Sequence, residues 1–156
     1  GACLAAADHL VSAAEAEAAA ITSERDAGEV ETLQTALGAG GTGKGAAAAS
    51  RGTTAAVREL ERRQKSRATR TQRDALDRAL VDLAAFYRDV LLTQSGSAVA
   101  AAHPDFADDV VAVARRVTPA GALQRLDAVL GCREALELNV KPRIAVEAMT
   151  AALRLP

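Results

Sequence analysis

The sequence predicts an all-α fold, and two features of its composition carry that prediction. Alanine accounts for 39 of the 156 residues, whereas aromatic residues account for 2% and tryptophan is absent. Alanine is the strongest helix former and is a poor strand residue. We therefore expect a bundle of about five helices, in which the first two are extended as an N-terminal helical hairpin arm.

The arm is predicted over residues 1–73, as part of the same domain as the bundle. Apolar residues at helical spacing predict one long or once-broken helix over about 2–37, and the glycine-rich stretch 38–45 predicts a flexible loop. A second helix begins at about residue 46 and carries few large apolar residues before residue 74. Such a helix lies in water or against a charged partner.

The net charge of -1 is the sum of two opposed segments. Residues 1–37 hold seven acids and one base, whereas residues 51–73 hold eight bases and two acids. An antiparallel hairpin would place the acidic and the basic helix side by side. Because surface ion pairs contribute about 0–1 kcal/mol each, we expect them to select the pairing of the helices more than to stabilise it.

A helical bundle is predicted over residues 74–156 as a series of amphipathic helices. The residues expected to bound these helices are the capping pair Thr71 and Asp74, then Ser95-Gly96-Ser97, Pro104, Thr118-Pro119 and Asn139–Pro142. The apolar residues at helical spacing are Leu76, Leu80, Leu83, Tyr87 and Val90; Phe106, Val110, Val113 and Val117; Leu123, Leu126, Leu130 and Leu136; and Ile144, Ala148, Met149, Ala152 and Leu153.

The loop of the arm contains a motif that resembles a phosphate-binding P-loop. Gly38, Gly43 and Lys44 occupy the fixed positions of G-x-x-x-x-G-K-[ST]. However, Gly45 stands where the motif needs Ser or Thr for Mg²⁺, and the preceding segment is predicted as a helix rather than a strand. We therefore interpret the motif as a P-loop look-alike, a hinge between two helices, and predict no ATP site.

An acidic cluster is the strongest candidate for a metal site. Asp105, Asp108 and Asp109 could hold a divalent cation, but they also lie at the start of a predicted helix, where acids complement the helix dipole. No second acidic motif pairs with them, and neither His9 nor His103 has Cys or His at zinc-ligand spacing. We predict no metal site, no cofactor and no catalytic residue.

The two cysteines, Cys3 and Cys132, are too few for a disulfide framework, and Cys132 is predicted to be a small core residue. No apolar run reaches the ~18 residues of a membrane span, and the N-terminal residues lack the pattern of a signal peptide. We expect a cytoplasmic protein without membrane contact. The sequence starts within a helical pattern and without Met, so we also expect it to be part of a longer protein.

Seven basic residues of the second helix form a candidate contact patch. A helix of this charge binds phosphates, or it is a solvated helix that faces the acidic arm or another protein. The sequence pI of about 6.2 is below the value above ~9 that is typical of nucleic-acid-binding domains. A nucleic-acid-binding helical adaptor that uses residues 58–73 is the alternative function. The patch consists of Arg58, Arg62, Arg63, Lys65, Arg67, Arg70 and Arg73.

From about residue 74 onwards the sequence resembles the C-terminal collar domain of clamp-loader subunits of bacterial DNA polymerase III. In that family a helix of the form L-x-x-h-x-x-h-x-x-x-R-E-x-L runs into N-x-x-P-x-h-h-h-E and a closing helix. The matching segments are 123–136 and 139–149, and residues 73–80 with 86–89 resemble the preceding family helix. The acidic arm, the glycine loop and residues 61–67 resemble the delta-prime type of subunit from high-GC Gram-positive bacteria.

This resemblance implies a collar domain that holds the subunits together, while separate AAA+ modules handle ATP, DNA and the sliding clamp. It implies the delta and gamma/tau subunits as partners, DNA contact only through the full complex, and no small-molecule substrate. The fragment is then no enzyme, although its parent assembly is a nucleotidyltransferase. We expect the helices at 74–92, 119–139 and 142–154 to form the subunit interface. Its candidate residues are Arg125, Arg133, Glu134, Arg143 and Glu147.

Overall fold

The computed structural model describes residues 1–36 and 46–154, with the backbone alone for residues 46–53. Most residues of these ranges lie in helices and none lies in a strand, so the predicted all-α class with five α-helices is confirmed. The loop expected at 38–45 lies outside the described residues. The helices are α1 (Ala2–Ala36), α2 (Ala46–Gln94), α3 (Ala107–Arg116), α4 (Pro119–Glu137) and α5 (Pro142–Ala152), and one turn of 3-10 helix spans Pro104–Phe106.

The ends of the helices in the second half of the chain follow from local signals in the sequence. Thr118 is the N-cap of α4, as predicted, and its hydroxyl accepts a hydrogen bond from the backbone N–H of Gly121 at 3.0 Å. Gly96 adopts a φ of 65° just after α2, and Asn139 adopts a φ of 63° just after α4. These left-handed residues end helices because most side chains disfavour that conformation.

One predicted boundary is wrong, because α2 continues through Thr71 and Asp74 without a break. A cap needs a residue that leaves the helical conformation, and the neighbouring side chains are compatible with helix. Thr71 is half-buried instead of turning out to cap a helix. The polar and the apolar segments of the second half of the hairpin are therefore parts of one helix of 49 residues.

The chain divides into two compact units, which we call the bundle unit (residues 1–13 and 73–156) and the two-helix unit (residues 14–72). The predicted division at residue 73 placed the first 13 residues with the arm. In the structure Ala7 is fully buried, and the Asp8 carboxylate lies 2.9 Å from the Arg143 guanidinium of α5. These contacts explain why residues 1–13 group with the bundle unit.

The core of the bundle unit is made of aliphatic side chains from α2, α4 and α5. The largest fully buried apolar side chains are Leu76, Leu80, Val90, Val129 and Val146. Burial of one such side chain contributes about 1.5–3 kcal/mol to folding. Around Val90 the core extends to α3, with a cluster of Val110 and Ala122 flanked by Phe86, Leu91, Val113, Ala114 and Val117.

The apolar stripe predicted for α4 is shifted in the structure. Of the four predicted leucines only Leu136 is buried, whereas Leu123 and Leu130 are 50% and 44% exposed. The buried residues are the smaller Ala122 and Val129, each one position earlier in the chain. One position is a rotation of about 100° on a helix, so the leucines point away from the core.

A similar shift affects α5 and the residue before α3. Ile144 is 55% exposed, while the neighbouring Ala145 and Val146 are buried. Phe106, predicted as part of the α3 stripe, lies in the 3-10 turn and is 53% exposed. Val110 of the same predicted stripe is buried.

In the two-helix unit, α1 and α2 run antiparallel. Gln72 donates to Glu15, while Gln64 donates to the backbone carbonyl of Asp26 further along α1, at 3.1 and 2.9 Å. The buried residues with described side chains in this unit are Ala14, Ala18 and Thr22.

Among the described residues, no helix combines the length and the apolar character that a membrane crossing requires.

Candidate functional site

Arg67, a member of the predicted basic patch, pairs with the acidic helix. Its guanidinium donates to the Asp26 carboxylate and, at 2.8 and 3.0 Å, to both oxygens of Glu29. All three side chains are about three-quarters buried. The hydrogen bond from Arg67 is the main cause that holds the pKa of Glu29 below its ordinary value of 4.5.

Arg73 is the member of the predicted basic patch that lies in the bundle unit. Its guanidinium donates to the side-chain oxygen of Asn139 at 2.7 Å. Asn139 is the left-handed residue between α4 and α5. Arg73 therefore contributes to holding the turn that the resemblance motif marks with N-x-x-P.

Three basic residues share one face of α2. Arg58, Arg62 and Lys65 recur at i, i+4 and i+7, are exposed, and line a surface groove of about 540 Å³ together with Glu61. In the part of the chain that the structure describes, Arg58 and Lys65 form no ion pair. We call Arg58, Arg62 and Lys65 the basic face.

Two of the patch arginines contact an acid of their own helix. Arg62 and Arg63 both lie against the Glu59 carboxylate, and the Arg63 contact is 3.0 Å. Their side chains are 76% and 72% exposed. Exposed pairs at i, i+3 and i, i+4 contribute only about 0.3–0.5 kcal/mol, so these arginines stay accessible to another anion. Arg70 is exposed as well.

Three residues predicted for a subunit interface, Arg133, Arg143 and Glu147, form ion pairs within the chain. The Arg133 guanidinium of α4 bonds to both carboxylate oxygens of Asp77 on α2, at 2.7 and 3.2 Å. This bond raises the pKa of Arg133 above its usual range. Arg143 contacts Asp8 of α1 and, at 2.9 Å, Glu147 of its own helix. Both arginines therefore stabilise the bundle unit.

The other predicted interface residues differ in exposure. Arg125 is half-buried and donates to the backbone carbonyl of Gly121 at 2.9 Å. Glu134 is exposed on α4. Burial raises the pKa of the Tyr87 hydroxyl, and the charge of Arg125 opposes that increase.

The side of α4 that faces away from the core presents large apolar residues. Leu123 and Leu130 are seven residues apart and therefore lie on one face, with half-buried Leu126 beside them. Asp127 and Glu134 border this row. We call Leu123, Leu126 and Leu130 the leucine face. Exposed apolar groups that align on one helix are typical of a protein interaction surface.

Asp89 is a structural acid that the sequence analysis did not single out. It is 2% exposed and accepts hydrogen bonds from the backbone N–H groups of Ala102 and His103, at 2.7 and 3.3 Å. Arg88 donates to its other oxygen at 2.8 Å. An acid next to Val90 on the buried side of a helical pattern is the signal that points to this role.

Gln94 is a second polar residue that the sequence analysis missed. From the last residue of α2 its side-chain amide donates to the carbonyl oxygens of Ala114 and Val117, at 3.1 and 2.8 Å. It thus satisfies carbonyls that the end of α3 leaves open. A long-range cap of this kind has no signature in the local sequence.

The remaining candidates have no catalytic arrangement in the described residues. Asp108 and Asp109 lie in the first turn of α3, and the described residues contain no group of three or more His, Cys, Asp or Glu suited to a metal ion. Cys132 is buried, as predicted, and burial raises its pKa to about 11. The P-loop look-alike at Gly38, Gly43 and Lys44 lies outside the described residues.

Comparisons with protein-family models, with curated proteins and with solved structures find no match to this chain. The resemblance to the clamp-loader collar therefore rests on the residues of the sequence themselves.

Proposed function

We propose that this chain is the oligomerisation domain, or collar, of a clamp-loader subunit of the delta-prime type in bacterial DNA polymerase III. Its role is to place the subunit in the assembly that loads the sliding clamp during DNA replication. The fragment acts in the cytoplasm, has no ATP site of its own, and performs no catalysis. Its partners are the delta and gamma/tau subunits.

The observation that carries the proposal is the leucine face of α4. Single exposed leucines are common on folded proteins, whereas exposed apolar side chains that align on one face of a helix are a feature of surfaces that a partner helix covers. Here α4 buries Ala122, Val129 and Cys132 and leaves Leu123 and Leu130 exposed. The same helix carries the Arg133-Glu134 pair of the resemblance motif.

The motif residues themselves have structural roles that suit a rigid collar helix. Leu136 is buried, Arg133 bonds to Asp77, and Pro142 opens α5. These residues fix α4 against its own unit, so the leucine face is presented on a rigid element. Rigid presentation lowers the entropy cost of association.

A ring of related subunits needs a heterologous interface, in which two different patches meet. The leucine face supplies one patch, with Asp127 and Glu134 as its polar border. A partner helix with apolar residues and bordering bases complements it.

Gel filtration of the chain mixed with the delta and gamma/tau subunits tests the proposal. We expect the wild type to co-elute with them, and the variant Leu123→Glu/Leu130→Glu to elute alone. Ile21→Glu is the matched control, because Ile21 is 59% exposed and lies in the two-helix unit. A wild type that never co-elutes contradicts the proposed function, and a leucine-face variant that co-elutes normally contradicts the proposed surface.

A further inference from the structure

We propose that the basic face of α2, formed by Arg58, Arg62 and Lys65, binds the phosphate backbone of double-stranded nucleic acid without reading its sequence. This goes beyond the collar function, which needs DNA contact only through the full complex. It rests on different residues in a different unit, so the two proposals stand or fall separately.

The basic face lies on the side of α2 away from α1. Arg67, which bonds to Asp26 and Glu29 of α1, follows Arg58 by nine residues and is therefore about half a turn away on the helix. The acids of α1 that pair with Arg67 therefore lie on the side of α2 opposite the basic face. The positive charge of Arg58 and Lys65 is not cancelled by an ion pair with any described residue.

The spacing of the three cations fits a regular array of negative charge. From Arg58 to Lys65 the helix rises about 10 Å, at ~1.5 Å per residue. A duplex presents about one charge per 1.7 Å of its axis, so several phosphates lie within reach of this row. Two of the three residues are arginines, whose guanidinium matches phosphate oxygens in a bidentate manner.

The surroundings of the basic face favour nucleic acid over a protein partner. Between residues 54 and 72, where the structure describes every side chain, no large apolar residue is exposed. Protein interfaces depend on buried apolar or aromatic anchors, whereas a phosphate backbone binds through charge alone. The absence of aromatic residues from the same stretch disfavours a single strand, which binds by base stacking.

Two acids limit the strength of this contact. Glu61 lies within the groove of the basic face, and Glu59 contacts Arg62. With three phosphates neutralised, we expect the logarithm of the binding constant to fall with that of salt at a slope of about -2.7. Between about 50 and 200 mM salt this slope corresponds to a roughly 40-fold loss of affinity.

Fluorescence anisotropy of a labelled duplex, titrated with the full chain at low and at higher salt, tests the proposal. The triple variant Arg58→Ala/Arg62→Ala/Lys65→Ala should weaken binding at about 50 mM salt by at least ~10-fold and flatten the salt slope. The control Arg115→Ala/Arg116→Ala/Arg154→Ala removes the same charge from exposed positions of the bundle unit. It should stay within about threefold of the wild type.

A gain of affinity gives a test that misfolding cannot imitate. Glu61→Gln removes the acid from the basic face and should tighten binding roughly 2- to 5-fold. Glu31→Gln, an exposed acid of α1, is the matched control and should change binding less.

Three results would overturn the proposal. They are no binding of the wild type at low salt, equal losses in the two triple variants, and displacement of the duplex by poly-glutamate as effectively as by unlabelled duplex. A duplex of unrelated sequence should bind as tightly as the first one, because phosphate contacts carry no sequence information.

Discussion

The two units of the chain pair their helices by different means. The bundle unit buries large aliphatic residues such as Leu76, Leu80 and Val146 completely, whereas the buried residues described in the two-helix unit are alanines and one threonine. In the bundle unit, large buried side chains determine how the helices pair. In the two-helix unit, polar contacts between the helices, such as those of Arg67 with Asp26 and Glu29, have that role. The comparison teaches that alanine makes helices, while larger residues and ion pairs decide how they pack.

The largest effect should come from opening a cavity in the bundle core. We expect Leu80→Ala to lower the free energy of unfolding by about 2–5 kcal/mol, because Leu80 is fully buried. Leu60→Ala is the counterpart in the two-helix unit, where Leu60 is half-buried and borders a groove. Its cost should be about 1 kcal/mol. Urea denaturation followed by circular dichroism measures the unfolding free energy of both variants. Equal losses would contradict the proposed difference in packing between the two units.

Removal of the buried acid of the bundle unit should have the next largest effect. Asp89→Ala leaves two backbone N–H groups and one arginine without their acceptor, so we expect a loss of about 1–3 kcal/mol in unfolding free energy. Asp82→Ala, on the same helix with a side chain that is 68% exposed, is the control. It should change stability by less than about 0.5 kcal/mol. A thermal melt in which both variants behave alike would show that Asp89 does not hold the segment after α2.

Two helical glycines allow a direct comparison of the units. A Cβ added at Gly131 of α4 or at Gly28 of α1 meets nothing within 4 Å, and neither residue has a positive φ. Alanine should therefore stabilise either helix by about 0.5–1 kcal/mol. The readout is the unfolding midpoint for Gly131→Ala and helical content by circular dichroism for Gly28→Ala. A destabilising Gly131→Ala would mean that α4 is packed more closely at that point than the structure describes.

The smallest effect is a pH dependence confined to the two-helix unit. Hydrogen bonding from Arg67 lowers the folded-state pKa of Glu29, so its contribution is fully present above the ordinary value of 4.5. The contribution is lost as the pH falls from there through the lower folded-state pKa. Glu29→Gln should remove this part of the acid dependence, as measured by denaturation across a series of acidic pH values. Glu31→Gln should leave it intact, and an unchanged profile in Glu29→Gln would contradict the assignment.

The fold class could be predicted from the sequence because alanine content and helical spacing are local properties. The start of α4, with Thr118 as N-cap and Pro119 as the first helical residue, could also be predicted, since a cap is set by a few adjacent residues. The continuous course of α2 through Thr71 was not, because a possible cap forms only when the chain turns there. The pairing of Arg67 with Glu29 follows from charge, but which arginine faces α1 depends on the rotation of the helix.

The candidate surfaces were only partly predictable. The pattern of leucines on α4 indicated an amphipathic helix. However, a shift of one residue separates core from surface there, so Val129 is buried and Leu130 is exposed. Likewise, the sequence indicates a surface charge at Arg133, and its bond to Asp77 of another helix is visible only in the structure. Such contacts join residues far apart in the chain, so their partners appear only in three dimensions.

The central claim is that assembly uses the leucine face of the bundle unit and not the basic face of the two-helix unit. Light scattering on mixtures with the delta and gamma/tau subunits measures the mass of the complex for each variant. The account predicts that Arg58→Ala/Arg62→Ala/Lys65→Ala forms a complex of wild-type mass, whereas Leu123→Glu/Leu130→Glu stays at the mass of the free chain. Wild-type complexes formed by the leucine-face variant, or loss of assembly in the basic-face variant, would contradict it.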